Sequence, residues 1–223
     1  MLVYEQLKED ILAGRFQPGQ KLKAQELCKD RKVNVNAMRE ALSRLAGEGL
    51  AEVRPRQGFA VMSFSRARVA DLTAVRVELE RVLIGWSIKR GDTAWEAGVV
   101  ATHNALSITP MVRPEDHAQI NDEWLKAHSA FHGALLAGSG SPMGCGIAAN
   151  LADISDVYRR WTLLAGSQDR DIAGEHRALM DAAVARDAEL AAYLLARHYN
   201  LTAELLMARM GADEEEMADD GSA

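Results

Sequence analysis

Residues 34–59, NVNAMREALSRLAGEGLAEVRPRQGF, constrain the fold more than any other stretch of the chain. Arg39, Leu42, Leu45 and Ala46 recur at three- and four-residue spacing, so the run predicts a short helix with one packing face. Arg39 and Arg44 fall toward the edges of that face. Gly47 and Gly49 break the helix, and two extended runs follow around a basic tip made of Arg54, Pro55, Arg56, Gln57 and Gly58. Upstream, Leu22 to Lys29 gives a second short helix, and Asp30 to Val33 suffices for the turn between the two. Two helices, a polar turn and a hairpin spell a winged helix-turn-helix. The second helix of such a unit fits the major groove of double-stranded DNA, and a basic wing tip reaches phosphates. Asn34 and Asn36 stand where an amide can cap the helix and also face a base edge. Arg44 has two readings, a phosphate contact or an ion pair with Glu40 or Glu48.

The charge distribution agrees with a DNA-binding head on a separate body. Residues 1–64 hold 11 Lys and Arg against 8 Asp and Glu, although the whole chain carries a formal net charge of −6. A positive N-terminal domain therefore joins an acidic remainder, as suits one module that touches DNA and one that does not. A surplus of three charges is small for phosphate binding, and a homodimer doubles it. No apolar run approaches a membrane span, and charge follows too soon after Met1 for a secretory leader. Cys28 and Cys145 lack metal-type spacing and read as free thiols in a cytoplasmic protein.

From Ser63–Arg66 onward, helical spacing replaces strand-like alternation. Helices are expected over 69–90, with Leu72, Val75, Leu79, Leu83 and Trp86 on one stripe, and then over 95–107, 118–137, 143–165, 171–185 and 187–210. No internal repeat appears, so the second half reads as a helical bundle. The end from Gly211, with six acidic residues and no aromatic, reads as a disordered tail. The fold class is thus mainly α, with boundaries at 1–64, 65–210 and 211–223.

MREALSRLAGEGL followed by VRPRQGF resembles the signature of the GntR superfamily of bacterial regulators, and YEQLKEDILAGRFQPGQKL resembles that family's first helix and strand. The resemblance implies that Arg39 is the recognition-helix arginine and that Gln25, Asn34, Asn36, Arg54, Arg56 and Gln57 join it and Arg44 in the DNA footprint. One departure stands out. Many members carry serine-arginine-threonine-proline where this chain has Asn34 to Ala37, so an arginine commonly aimed at DNA is Val35 here. The second half is similar to the FCD ligand-binding domain of the FadR-like branch, on VRVELE at 75–80, AHSAFHGALLAGSGSP at 127–142, EHRALMDAAVARDAELA at 175–191 and RHYNLTAELL at 197–206. Within that branch, the TAWEA segment and the histidine pattern look closest to regulators responsive to short dicarboxylates, including glutarate.

Four histidines fall in these patches. His128 and His132 stand at i and i+4, on one helix face, and His176 and His198 sit on two other predicted helices. Taken alone, the pair at i and i+4 is a weak signal and reads as satisfied core or surface groups. The resemblance implies that His132, His176 and His198 bind a divalent transition metal, with zinc or nickel favoured by nitrogen ligands. The family's motif has an aspartate, sometimes an asparagine, at the position of His128. With a fourth neutral imidazole there, the site keeps the ion's full charge and favours a carboxylate or dicarboxylate effector. The plainer alternative is that three histidines hold the metal and His128 lines the pocket.

Arg76, in VRVELE, and Tyr158 are the effector-binding candidates. Arg76 has a second reading, as an intrahelical ion pair with Glu80. The resemblance further implies a ligand-responsive repressor that acts as a homodimer. Two alternatives remain beside it: a metal-dependent hydrolase, for which Glu175 is the only candidate base although it points away from His176 on a helix, and a DNA binder with no effector.

Overall fold

The computed structural model describes residues 3–113, 115–162 and 170–220. It divides into two compact units, residues 1–65 with 153–161, and residues 66–152 with 162–223.

In the first unit, α1 (Val3–Leu12), α2 (Ala24–Arg31) and α3 (Val35–Gly47) accompany a small antiparallel sheet of β1 (Lys21–Leu22), β2 (Ala51–Arg54) and β3 (Gly58–Val61), in the order β1-β3-β2. Tyr4, Leu7 and Ile11 give α1 one apolar stripe, which packs on α3 through Met38, Leu42 and Leu45, all fully buried. Burying side chains of this kind contributes roughly 1.5–3 kcal/mol each. Asp10 is buried on the same face of α1. Its carboxylate accepts from Arg15 at 2.5 Å and from Arg31 of α2, so it closes an ion-pair triad between the first two helices.

The second unit contains α4 (Arg66–Arg90), α5 (Thr93–Ser107), α6 (Asp122–Ala137), the first part of α7 (Pro142–Thr162), α8 (Ile172–Val184) and α9 (Ala188–Asp220). Asp92, Asn121, Asp171 and Asp187 each accept from a backbone N–H in the first turn of α5, α6, α8 and α9, which fixes those starts. Leu83, Ile84, Trp95, Val99, Phe131, Leu135, Leu179 and Leu195 form the shared core. Trp95 anchors it, because its indole Nε1 donates to Ala134 O at 2.9 Å. Any Cβ at Gly91 would meet that ring at 2.4 Å, so only glycine fits there.

Four expectations need correction. The second unit is not helical throughout: β4 (Val112–Arg113) and β5 (Asp116–Ile120) form a hairpin, with Val112 opposite Ile120. Residues expected in the first turn of a helix from Ala118 therefore belong to a strand, and the helix waits for its cap at Asn121. The apolar stripe expected on α4 does not act as one buried face. Leu83 faces inward, but Val75 is 48% exposed and Trp86 39%, whereas Arg76 and Glu80 are buried. The helix has apolar residues on two faces, and spacing alone does not choose between them. On α3, Met38 and Ala41 complete the buried face, and Arg39 lies outside it, exposed. Finally, the last helix, expected over 187–210, runs on as α9 as far as Asp220, in keeping with the alanine, glutamate and methionine content of the added stretch, and residues 221–223 of the expected tail lie outside the described residues.

Candidate DNA interface and metal centre

The turn between α2 and α3 is built by Lys32, in the left-handed region at φ 53°, and by Asn34, whose side chain accepts from Ala37 N at 2.8 Å. That cap fixes the start of α3. Asn36, Arg39, Glu40 and Ser43 lie on its exposed face, and Gln25 is exposed on α2. Among the described residues no acid pairs with Arg39, so its guanidinium stands available to an anionic partner. The wing turns through Pro55, Arg56 and Gln57, closed by Gln57 N donating to Arg54 O at 3.0 Å. Arg56 and Gly58 both take positive φ, 63° and 86°; for Arg56, which follows Pro55 as the third residue of this turn, that is the conformation of a type II turn. Arg56 and Gln57 project from the tip, and the half-buried Arg54 lies 3.8 Å from Glu52.

Arg44 has other partners. Its Nε lies 3.2 Å from Glu48 Oε1, and its guanidinium sits 3.6 Å above the Tyr4 ring. Tyr4 donates its hydroxyl to the same carboxylate at 2.6 Å, and burial first, then that donation, pushes its pKa up. Of the two readings of Arg44, the geometry shows the ion pair, and it ties α3 to α1.

In the second unit, His128 and His132 from α6, His176 from α8 and His198 from α9 meet at one buried point. Their exposures lie between 3 and 5%, and one nitrogen from each falls within 4.8 Å of the others. Two ligands opposite one another across a metal at about 2.1 Å are ~4.2 Å apart, so small side-chain rotations close the set on one ion. Ring centroids run from 4.5 Å for His128 and His132 to 6.1 Å for His128 and His198. Trp124 stacks on His128 at 4.8 Å, and Phe131 sets its edge to His132 and His176, so aromatic surfaces wall the cluster. Four buried imidazoles without a carboxylate among them form a nitrogen-only donor set, which suits zinc or nickel rather than calcium or magnesium.

Two acid-bearing networks lie behind the imidazoles, and sequence reasoning anticipated only the Arg76–Glu80 pair within the first. Tyr199 on α9 contacts His132 Nδ1 at 3.2 Å and donates to Glu80 Oε2 at 2.5 Å. Glu80 in turn accepts from Arg76 Nε at 2.8 Å, and the Arg76 guanidinium lies 4.2 Å over the Tyr199 ring. The intrahelical pair anticipated as one reading of Arg76 therefore exists, and it is part of the surroundings of the histidine cluster. On the other side, Glu175 does not serve His176, its neighbour in the chain. Its Oε2 instead lies 2.7 Å from His198 Nδ1. Only the i,i+4 spacing of Arg76 and Glu80 hinted at either arrangement. Tyr158 is fully buried and stacks on Phe64 at 4.6 Å within the first unit.

Known proteins share both halves. Residues 2–61 match the bacterial regulatory proteins of the gntR family, and residues 71–201 match the FCD domain. The HTH-type transcriptional repressor GlaR of Escherichia coli is 35% identical over 199 residues, 87% of this chain and 90% of that protein. The HTH-type transcriptional regulator BphR of Paraburkholderia xenovorans is 33% identical, over 87% of this chain and 80% of its own length. Among solved structures, Escherichia coli McbR/YncC has the same fold with a TM-score of 0.76 at 20% identity, covering 93% of this chain and 96% of its own.

Proposed function

This chain belongs to the gntR family of bacterial regulatory proteins and carries an FCD domain; on that premise we propose that it is a dimeric, operator-binding repressor that senses a small dicarboxylate at a histidine-bound metal. Its relatives are transcriptional regulators rather than enzymes, which removes the hydrolase alternative.

The observation that carries the sensing half is the convergence of His128, His132, His176 and His198 from three helices on one buried point. These four would hold a divalent ion, which when bound offers a carboxylate a Lewis-acidic coordination position. Four neutral imidazoles leave the ion's double charge uncompensated within its ligand set, so a dianion is the complementary guest. Arg76 supplies the second anchor in this reading. Its guanidinium forms a planar fork suited to a carboxylate, it is buried, and it lies over the tyrosine that touches His132. An incoming carboxylate competes with Glu80 for that fork.

The dimer rests on α4. Leu72, Val75, Leu79, Val82 and Trp86 follow one another at three- and four-residue spacing, with Val75, Val82 and Trp86 each more than a third exposed on the outward side and Leu79 reaching the core. An apolar stripe of that length on a surface helix marks an interface. A dimer presents two copies of α3 to a two-fold operator, and the effector acts by favouring one arrangement of the pair. A coupling of about 1–3 kcal/mol changes operator affinity roughly 5–150-fold.

The direct test is elemental analysis of untagged protein, combined with thermal melting with and without chelator across a panel of short dicarboxylates. The expected result is one divalent ion per chain and a dicarboxylate-dependent rise in melting temperature that chelation abolishes. Metal-free protein stabilised by the same dicarboxylates would reject the metal. A response to neutral sugars instead would reject the dicarboxylate.

A further inference from the structure

We infer that Glu175, braced by Arg170, is a positioning residue for the metal centre: it fixes the tautomer of His198, aims Nε2 at the cluster, and supplies anionic charge from behind the ligands. This inference rests on the metal reading above and adds to it two residues that the ligand set does not include.

The distances define the proton positions. Glu175 Oε2 lies 2.7 Å from His198 Nδ1 and 2.5 Å from Arg170 Nη2. Arg170 Nη2 also lies 3.2 Å from Nδ1, but the carboxylate is the nearer neighbour, and a carboxylate gripped by a guanidinium does not sit 2.7 Å from a bare nitrogen lone pair, so the imidazole is the donor through Nδ1–H. That leaves Nε2 carrying the lone pair, which is the atom a metal needs. Such a bond also makes the imidazole a stronger ligand, because the carboxylate stabilises positive charge drawn onto the ring.

Arg170 makes the arrangement rigid. Its Nε donates to Glu175 Oε1 at 2.7 Å, so the guanidinium grips both carboxylate oxygens. It also donates to Thr202 Oγ1 at 2.9 Å and to His198 O at 3.0 Å, which ties the carboxylate to α9 at the ligand's own residue. Glu175 occupies the first turn of α8, where the helix dipole favours a negative charge. Residues 175 and 176 point about 100° apart around the helix. His176 thus enters the cluster directly, and Glu175 reaches it from outside through His198.

A salt bridge that merely fastens α8 to α9 would have different consequences. It would change melting temperature and leave metal affinity and the imidazole tautomer alone. The test uses full-length protein, with zinc and cobalt affinities measured by competition with a chromophoric chelator and histidine ring protonation read from 15N spectra of the metal-free form. Glu175→Gln keeps the shape and removes the charge, Glu175→Ala removes both, and Glu204→Gln alters an exposed acid elsewhere on α9 as a control. The expected result is a roughly 10–100-fold loss of metal affinity in Glu175→Gln, a larger loss in Glu175→Ala, and none in Glu204→Gln. The ring spectra should move His198 toward the Nε2–H form in Glu175→Ala, and the cobalt absorption bands should shift in both Glu175 variants. If Glu175→Ala does not fold, Glu175→Gln decides. Parent-like metal affinity and an unchanged tautomer in a folded Glu175 variant overturn this inference and leave the metal reading intact. A parent protein that binds no divalent ion overturns both.

Discussion

Replacing Arg39 with alanine separates the two arginines of the recognition helix by what they touch. Arg39 is exposed on α3 and pairs with no acid among the described residues, whereas Arg44 is held by Glu48 and the Tyr4 ring. A dimer carries two copies of Arg39. If each neutralises one phosphate, Arg39→Ala removes two released counterions, and the plot of log affinity against log salt becomes shallower by about 1.8. Between about 50 and 200 mM salt, a fourfold range, the parent should then lose roughly tenfold more affinity than the variant. If Arg39 reads a base instead, each half-site loses about 1–3 kcal/mol with little change in slope, and discrimination at that base pair relaxes. Fluorescence anisotropy on the operator across a salt series measures both quantities. Arg44→Ala should mainly lower the stability of the first unit, because its partners belong to the fold. The reasoning fails if Arg39→Ala leaves both affinity and slope unchanged, or if Arg44→Ala produces the salt signature assigned to Arg39.

Three further outcomes follow from the geometry. Trp86→Glu or Val82→Glu sets charge in the outward stripe of α4 and should convert dimer to monomer in sedimentation velocity at micromolar concentration; an undisturbed dimer places the interface elsewhere. Asn34→Ala removes the cap of α3 and should cost about 1 kcal/mol in urea unfolding, with Asn34→Asp or Asn34→Ser restoring most of it. His103 is buried on α5 against Phe131, and burial, aided by the Arg177 guanidinium, lowers its pKa. Its neutral form is the one the fold accepts, so its stability contribution is present above the unfolded value of about 6.5 and is lost as pH falls below it. His103→Leu should therefore lose less stability than the parent between pH 7.5 and 5.5 in the metal-free protein, and an identical pH dependence would discount His103.

The first unit was readable from local signals. Glycine punctuation, a capping asparagine and a basic five-residue tip each act within a few residues, and the short helices and hairpin they specify match α2, α3, β2 and β3. The histidines were legible for a related reason. An i,i+4 pair fixes its own geometry, and the helices bearing His176 and His198 could be drawn from periodicity before anything was known of their packing.

What the sequence left undecided depends on rotation and distance. Spacing on α4 defines an apolar stripe but not which side meets the core, and packing turned Arg76 and Glu80 inward and left Val75, Val82 and Trp86 outside. Helical direction correctly separated Glu175 from His176, yet it held no information about α9, which brings His198 to that carboxylate across 23 residues of chain. Residue type, spacing and turn chemistry determined the elements and the histidines they carry, because those are interactions among near neighbours. Only the tertiary structure decided which acids stand behind which imidazoles, because that pairing is set by how whole helices rotate and seat to bury their apolar faces.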